Sequence, residues 1–141
     1  AWAPKAEQMA TAKFLQDERA LNNFLRSLNS KINDRLNLIY DGFIHLKQEG
    51  FPVEIIKPEG AIYLSVQFKI IGKTRVDGSK IETTADITQF LIDEASLAIV
   101  PFTAFGCEQG IDWFRISVGT LSISEIPKLL ELLKKGLSGL K

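Results

Sequence analysis

The sequence is poor in the residues that build disulfides, metal sites and membrane spans. Its 141 residues include one cysteine, Cys107, and one histidine, His45. A single cysteine cannot form an internal disulfide, and neither residue has a partner at metal-ligand spacing, so we predict no metal site and a reducing, cytoplasmic location. The N-terminus lacks a signal-peptide pattern, and no apolar run approaches the roughly 20 residues that span a bilayer, so we expect no membrane partner.

The sequence also lacks an excess of positive or negative charge and the common nucleotide-binding and catalytic motifs. Seventeen basic and seventeen acidic side chains give a formal net charge of zero, which argues against a nucleic acid partner. There is no phosphate-binding glycine loop, dinucleotide fingerprint, nucleophile elbow or histidine-based zinc motif. What is present, 45% apolar and 24% charged residues, is typical of one globular domain of this length.

The two residues most often found in active sites are weak candidates here. His45 is predicted to have no Cys, Asp or Glu partner at helical spacing, so we interpret it as a surface or interface residue rather than a ligand. Cys107 stands beside Glu108, and an acidic neighbour disfavours the reactive thiolate. We interpret Cys107 as a structural or incidental thiol.

The first third of the chain has helical periodicity. The helix formers after Pro4 predict a helix over about residues 4–16. From Asp17, a predicted cap, to Gly50, a predicted stop, apolar residues recur every three or four positions, which predicts a helix of roughly 32 residues. Such a helix is longer than a compact domain of this size needs, so we expect it to extend toward a partner. The apolar positions are Leu21, Leu25, Leu28, Ile32, Leu36, Ile39, Phe43 and Leu46.

After Gly50 the pattern changes to that of strands. Segments 52–58 and 60–68 are separated by turn residues, which predicts an antiparallel pair. Residues of about 69–84 contain Asp77-Gly78, a tight-turn signal, and we interpret them as an exposed hairpin insertion.

The remainder alternates between helix and strand. Thr84 or Asp86 is predicted to cap a helix over "ITQFLIDEA", followed by a short buried strand "LAIVP" that ends at Pro101, and then by a loop, "FTAFGCEQGI". The last helix begins either with a Ser122–Glu125 capping box or at Ser124, since the first choice conflicts with Pro127. This order predicts an α+β fold of two layers, with a small antiparallel or mixed sheet covered by helices on one face.

Arg115 interrupts a strand that otherwise has a clear core face. Strict alternation in "DWFRISVG" places Phe114 and Ile116 on one face and Trp113 and Arg115 on the other. One interpretation is a solvated surface arginine, which is common. The other is a clamp for a carboxylate, because Tyr63 is predicted to share the face of Arg115 and a guanidinium can donate two parallel hydrogen bonds.

Three segments resemble, in order and spacing, the C-terminal small domain of the fold-type I, pyridoxal-phosphate-dependent aminotransferases of class I/II. They are "PEGAIYLSVQF", "FLIDEASLAIVPFTAFG" and "WFRISVGTLSISEI". The resemblance implies that residues 1–17 leave a missing large domain, that 18–141 form the small domain, and that Arg115 binds the α-carboxylate of the substrate.

The same resemblance implies partners and a cofactor for the full-length parent. These are pyridoxal 5'-phosphate, an amino acid and a 2-oxo acid as substrates, the large domain of the same chain, and a second subunit in a homodimer. It places the catalytic and cofactor-binding residues outside this chain. Nothing in the chain resembles the family's S-x-x-K segment with its following glycine and arginine, so we expect residues 1–141 alone to be inactive. A stand-alone, non-catalytic binding module with the same fold is the alternative.

Overall fold

The computed structural model describes residues 3–108 and 110–141. The chain forms two compact units, residues 1–33 and residues 34–141. The regular elements are α1 (Lys5–Gln16), α2 (Glu18–Gln48), β1 (Val53–Ile55), β2 (Tyr63–Phe68), α3 (Thr84–Ala95), β3 (Val100–Pro101), β4 (Trp113–Ser117) and α4 (Ile126–Ser138), with 3-10 turns at Phe102–Phe105 and Ile123–Glu125.

The first unit contains α1 and the beginning of α2. Pro4 precedes α1 in an extended conformation, and Asp17 caps α2, its Oδ1 accepting the N–H of Ala20 at 2.9 Å. The Phe14 and Phe24 rings meet edge to face at 5.9 Å, yet both stay more than one-third exposed. The predicted helices are therefore confirmed within one or two residues.

The second unit is a four-stranded antiparallel sheet with helices on one face. The strand order is β1-β2-β4-β3, and every neighbouring pair is antiparallel. The inward side chains of β2 and β4 alternate strictly with outward ones, as a sheet with one buried face requires. The predicted α+β class is confirmed, and the sheet is antiparallel rather than mixed.

The core lies between the sheet and helices α2, α3 and α4. Phe68 of β2 contacts Phe43 of α2 and Phe114 of β4 edge to face, with ring centroids 5.9 and 5.8 Å apart. All three rings are fully buried. Edge-to-face aromatic packing adds to the large apolar area that these rings remove from water. This layer fixes which face of β2 and β4 stays outside.

The prediction that Thr84 or Asp86 caps α3 is wrong. Thr83 is the cap: its Oγ1 accepts the N–H of Asp86 at 3.2 Å, and Asp86 Oδ2 accepts the N–H of Thr83 at 2.8 Å. This reciprocal pair is a capping box with aspartate in place of the usual glutamate. Thr84 is instead buried, and its Oγ1 donates to the carbonyl of Ile111 at 3.1 Å.

The segment of about 69–84 is only partly the exposed hairpin that was predicted. Its tip is exposed, with Gly78 at φ +89°, but Ile70 and Ile81 at its base are fully buried. Arg75 donates to Asp93 of α3 at 2.9 Å. The base is therefore part of the core, because two inward isoleucines anchor it.

The region around Pro101 also differs from the prediction. Strand β3 is two residues long and includes Pro101, and Val100 is 40% exposed rather than buried. Proline is tolerated here because β3 is an edge strand. The first part of the predicted loop is a 3-10 turn, and Gln109 lies outside the described residues.

The two alternatives for the start of the last helix are resolved by an intermediate turn. The Ser122–Glu125 capping box is present, but it closes the 3-10 turn, and α4 begins only at Ile126. Pro127 therefore occupies the first turn of α4, where its missing N–H costs no intrahelical hydrogen bond. The alternative start at Ser124 is wrong.

Candidate functional site

The open face of the sheet holds Arg115 at the centre of its middle strands. The backbone of Arg115 in β4 pairs with Ser65 of β2 on one side and with Val100 of β3 on the other. Its neighbours along β4, Phe114 and Ile116, are buried, whereas Arg115 is half-buried. Strand pairing on both sides makes this a rigid platform for a functional side chain.

Two aromatic rings hold the Arg115 guanidinium. Its central carbon, Cζ, lies 4.2 Å from the ring centroid of Tyr63 and 4.1 Å from that of Phe105, above the plane of each ring. Tyr63 reaches it diagonally across the sheet, since Tyr63 pairs with Ser117. Phe105 reaches it from the 3-10 turn. Both distances are well inside the roughly 6 Å of a favourable cation–π contact.

The Arg115 guanidinium has no anionic partner among residues 3–108 and 110–141. No carboxylate lies within 4.0 Å of it, although Arg75 and several lysines have such partners. Aromatic rings satisfy the faces of a guanidinium but leave its N–H groups without acceptors. The arrangement therefore presents up to five donors to an external acceptor, and a carboxylate matches their fork geometry.

Arg115 also lines a cleft of about 430 Å³. Its lining also includes Val100, Ser117, Thr120 and Glu125. Glu125 is engaged by its own helix cap, and the N–H of Ser122 keeps the pKa of its carboxyl below the usual value. The cleft thus combines one guanidinium with hydroxyl groups and can take a small polar anion.

A second cleft, of about 610 Å³, lies at the beginning of α3. Its lining includes Thr83, Thr88, Gln89 and Thr103, and its charged residue among those described is the anionic Glu82. A carboxylate or phosphate ligand would meet repulsion from Glu82 and no cation there. The cleft at Arg115 is therefore the better candidate for an anionic ligand.

The structure places His45 and Cys107 away from any cluster of reactive groups. Both are exposed, and the described residues contain no group of three or more His, Cys, Asp or Glu side chains that could hold a metal ion. The prediction that His45 has no acidic partner is wrong, because its Nε2 lies 3.2 Å from Glu49, four residues further on. Lys134 binds the same carboxylate at 2.7 Å and is the main cause of its lowered pKa.

Sequence reasoning located two members of the site and missed the third. Arg115 and Tyr63 do share a face, as the alternation predicts, and Trp113 lies half-buried on the same face. Phe105 was not singled out, because it stands in an irregular turn where no period assigns a face. The sequence signal that could have identified Phe105 is its position just before a glycine. Gly106 ends the 3-10 turn with φ +87°, a conformation that glycine adopts readily.

The fold and this face define a small α+β domain that presents an arginine on an open sheet. The family profile of "Aminotransferase class I and II" matches residues 1–133. The chain therefore belongs to the class I and II aminotransferase family.

Individual relatives agree with this assignment. The chain is 43% identical over 76 residues to a probable aspartate/prephenate aminotransferase of Rickettsia conorii. The matched region covers 53% of this chain and 18% of that protein. It is 32% identical over 110 residues to an aspartate aminotransferase of Rhizobium meliloti, covering 77% of this chain and 25% of that one. A crystal structure of the Rhizobium meliloti aspartate aminotransferase superimposes with a TM-score of 0.70 at 28% identity, covering 84% of this chain and 28% of that one.

The chain spans about a quarter or less of the length of these curated relatives. None of the helices that the structure describes has the length and apolar character needed to cross a membrane.

Proposed function

We propose that residues 18–141 are the small domain of a longer, pyridoxal-phosphate-dependent aminotransferase, and that residues 1–17 connect them to a large domain. In this proposal the enzyme transfers an amino group between an amino acid and a 2-oxo acid. Arg115 binds the α-carboxylate of the substrate, and the open sheet face closes the active site. The observation that carries the proposal is the Arg115 guanidinium, held by two rings and free of any described carboxylate.

The contact geometry supports a role in carboxylate binding. A solvated surface arginine usually gains little from fixed contacts, whereas this one is half-buried and stacked at 4.1 and 4.2 Å. Its N–H groups are available within a cleft of about 430 Å³. When a second domain excludes water from such a cleft, each hydrogen bond to the carboxylate becomes stronger.

The uncovered apolar surface supports a further protein contact. Within residues 3–33 of the first unit, Met9, Leu15 and Phe24 are each more than half exposed, and Leu25 and Leu28 are 40% exposed. The last two belong to the apolar side of α2, whose continuation from Leu36 onward is buried. Contiguous exposed apolar side chains mark interaction surfaces. The proposal assigns them to contact with the large domain or with a second subunit.

The cofactor of this family fits the proposal only if other residues hold it. Around Arg115, the described lining of the cleft offers hydroxyl and apolar groups, the Glu125 carboxylate and no lysine. We therefore assign pyridoxal 5'-phosphate to residues outside this chain, where it would supply an electron sink for the amino-group transfer. The contribution of this chain is to bind and orient the carboxylate and to exclude water.

The test is made on the gene product that contains residues 1–141 with its flanking coding sequence. Transamination is measured for wild type, Arg115→Lys and Arg115→Gln. Two charge-assisted hydrogen bonds contribute about 1.5 to 3 kcal/mol each, so their loss in Arg115→Gln should lower kcat/KM by at least about 100-fold. Arg115→Lys keeps the charge but not the fork, and we expect an intermediate loss.

The matched control is Arg75→Gln, which removes an arginine that pairs with Asp93 and is not part of the cleft lining. We expect it to retain near-normal kcat/KM, and all three variants to bind the cofactor like wild type. An Arg115→Gln enzyme with unchanged kcat/KM would refute the role of Arg115. A gene that encodes no cofactor-binding domain would favour the alternative, a non-catalytic binding module.

A further inference from the structure

Phe105 is an exposed aromatic residue that the core does not explain. It is 51% exposed, one of the larger apolar surfaces of the second unit. Its ring lies 4.1 Å from the Arg115 guanidinium and meets the ring of Phe102 edge to face at 6.4 Å. An exposed phenylalanine costs solvation free energy, so a ring kept against a cation indicates a role other than packing.

The conformation of the turn sets the position of Phe105. The 3-10 turn Phe102–Phe105 ends at Gly106, whose N–H donates to the carbonyl of Thr103 at 3.2 Å. Gly106 has φ +87°, a conformation that side-chain-bearing residues rarely adopt, although a Cβ there would meet nothing within 4 Å. Phe105 is thus held by a turn whose geometry needs glycine for backbone reasons alone.

An arginine side chain without such support loses much rotational freedom when it binds a ligand. Arginine is among the side chains with the largest rotamer entropy, and this loss weakens binding. Tyr63 is fixed by strand β2, whereas Phe105 comes from the turn. With a ring at each of these positions, the guanidinium is restricted before any ligand arrives, and its N–H groups keep one orientation.

We propose that Phe105 is a positioning residue that preorganises Arg115 for carboxylate binding, with Gly106 as the backbone element that sets its ring. This inference rests on the proposed function of Arg115 and adds the residue that determines how well Arg115 performs it. Removing the ring should weaken carboxylate binding without removing the charge. The dissociation constant for a carboxylate should rise roughly two- to tenfold, because without the ring the Arg115 side chain loses its rotational freedom only when the ligand binds.

The experiment uses the 141-residue chain and acetate as the probe. Nitrogen-15 NMR follows the Nε–Hε signal of Arg115, which is assigned by its disappearance in Arg115→Gln, and the acetate affinity of every variant is measured from the backbone N–H signals of Ile116 and Ser117. In wild type, we expect ring currents to shift this signal away from the signals of exposed arginines. In Phe105→Leu it should move toward them, and the acetate dissociation constant should rise roughly two- to tenfold. Phe105→Tyr keeps a ring and should leave the Arg115 signal and the acetate dissociation constant close to their wild-type values. Gly106→Ala should shift the signal and raise the dissociation constant in the same direction as Phe105→Leu.

Phe24→Leu is the matched control, because Phe24 is 53% exposed and lies in the first unit. It should leave the Arg115 signal and the acetate affinity unchanged. If Phe105→Leu behaves like wild type while Arg115→Gln abolishes the acetate response, the positioning role is overturned and the proposed function of Arg115 stands. If Arg115→Gln leaves the acetate response intact, the carboxylate site itself is overturned.

Discussion

Gly136 of α4 sets how closely α4 approaches α3, and its replacement by alanine should destabilise the protein. A Cβ built on Gly136 lies 2.8 Å from the Cβ of Glu94 and 3.5 Å from Cζ of Phe90. Carbon atoms in contact prefer about 3.5 to 4.0 Å. Because the Cβ of Glu94 is attached directly to the backbone of α3, it cannot rotate away, and the helices must separate.

The sign of the effect follows from two opposing magnitudes. In an unobstructed helix, Gly→Ala stabilises by about 0.5 to 1 kcal/mol. Overpacking a well-packed core costs about 1 to 3 kcal/mol, and Gly136 is buried beside the core residues Leu133 and Leu137. The net expectation for Gly136→Ala is a loss of roughly 1 kcal/mol in the free energy of unfolding.

Urea denaturation followed by circular dichroism measures this loss, and a double-mutant cycle isolates its cause. Glu94→Gly removes the obstructing Cβ, so Gly136→Ala in that background should become stabilising by about 0.5 to 1 kcal/mol. If Gly136→Ala stabilises the otherwise unmodified chain by the same amount, the close approach of α3 and α4 is refuted.

Two further predictions concern the helix cap and acid. Thr83→Ala should cost about 1 kcal/mol of unfolding free energy by removing the capping box of α3, and Thr83→Ser should recover most of it; equal stability of both variants in urea would contradict the cap. A carboxyl whose pKa is lowered in the fold stabilises the folded state at pH values above its ordinary pKa, and this stabilisation is lost as the pH falls through the lowered pKa. Acidification should therefore lower the thermal midpoint of unfolding. A midpoint that stays constant on acidification would contradict these contacts. The groups concerned are Glu49, Glu54, Asp77, Asp86, Asp93 and Glu125.

Elements with a regular period could be predicted from the sequence. The alternation of β4 correctly separated buried Phe114 from outward Arg115, and the spacing in α2 identified buried Leu36 and Ile39. The same spacing also marked Leu25, which is 40% exposed. A period identifies an apolar face, but it does not show what covers that face.

Irregular segments could not be predicted because their geometry depends on contacts distant in sequence. The runs on either side of Asp77-Gly78 have mixed polarity and no clear period, which led to the prediction of an exposed hairpin, yet Ile70 and Ile81 reach the core. Thr84 looked like a helix cap, but its hydroxyl group bonds to Ile111, 27 residues away. Phe105 meets Arg115 because the 3-10 turn that follows edge strand β3 places its ring against the neighbouring strand β4. One of the two rings at the candidate site was therefore invisible to periodicity.

The most direct test of the account is a crystal structure of the gene product containing this chain, bound to a carboxylate analogue of an amino acid substrate. We predict that both oxygens of the carboxylate lie about 2.7 to 2.9 Å from two nitrogens of Arg115, with the rings of Tyr63 and Phe105 still against the guanidinium. A carboxylate bound elsewhere, with Arg115 paired to an acidic side chain of the protein, would contradict the central claim.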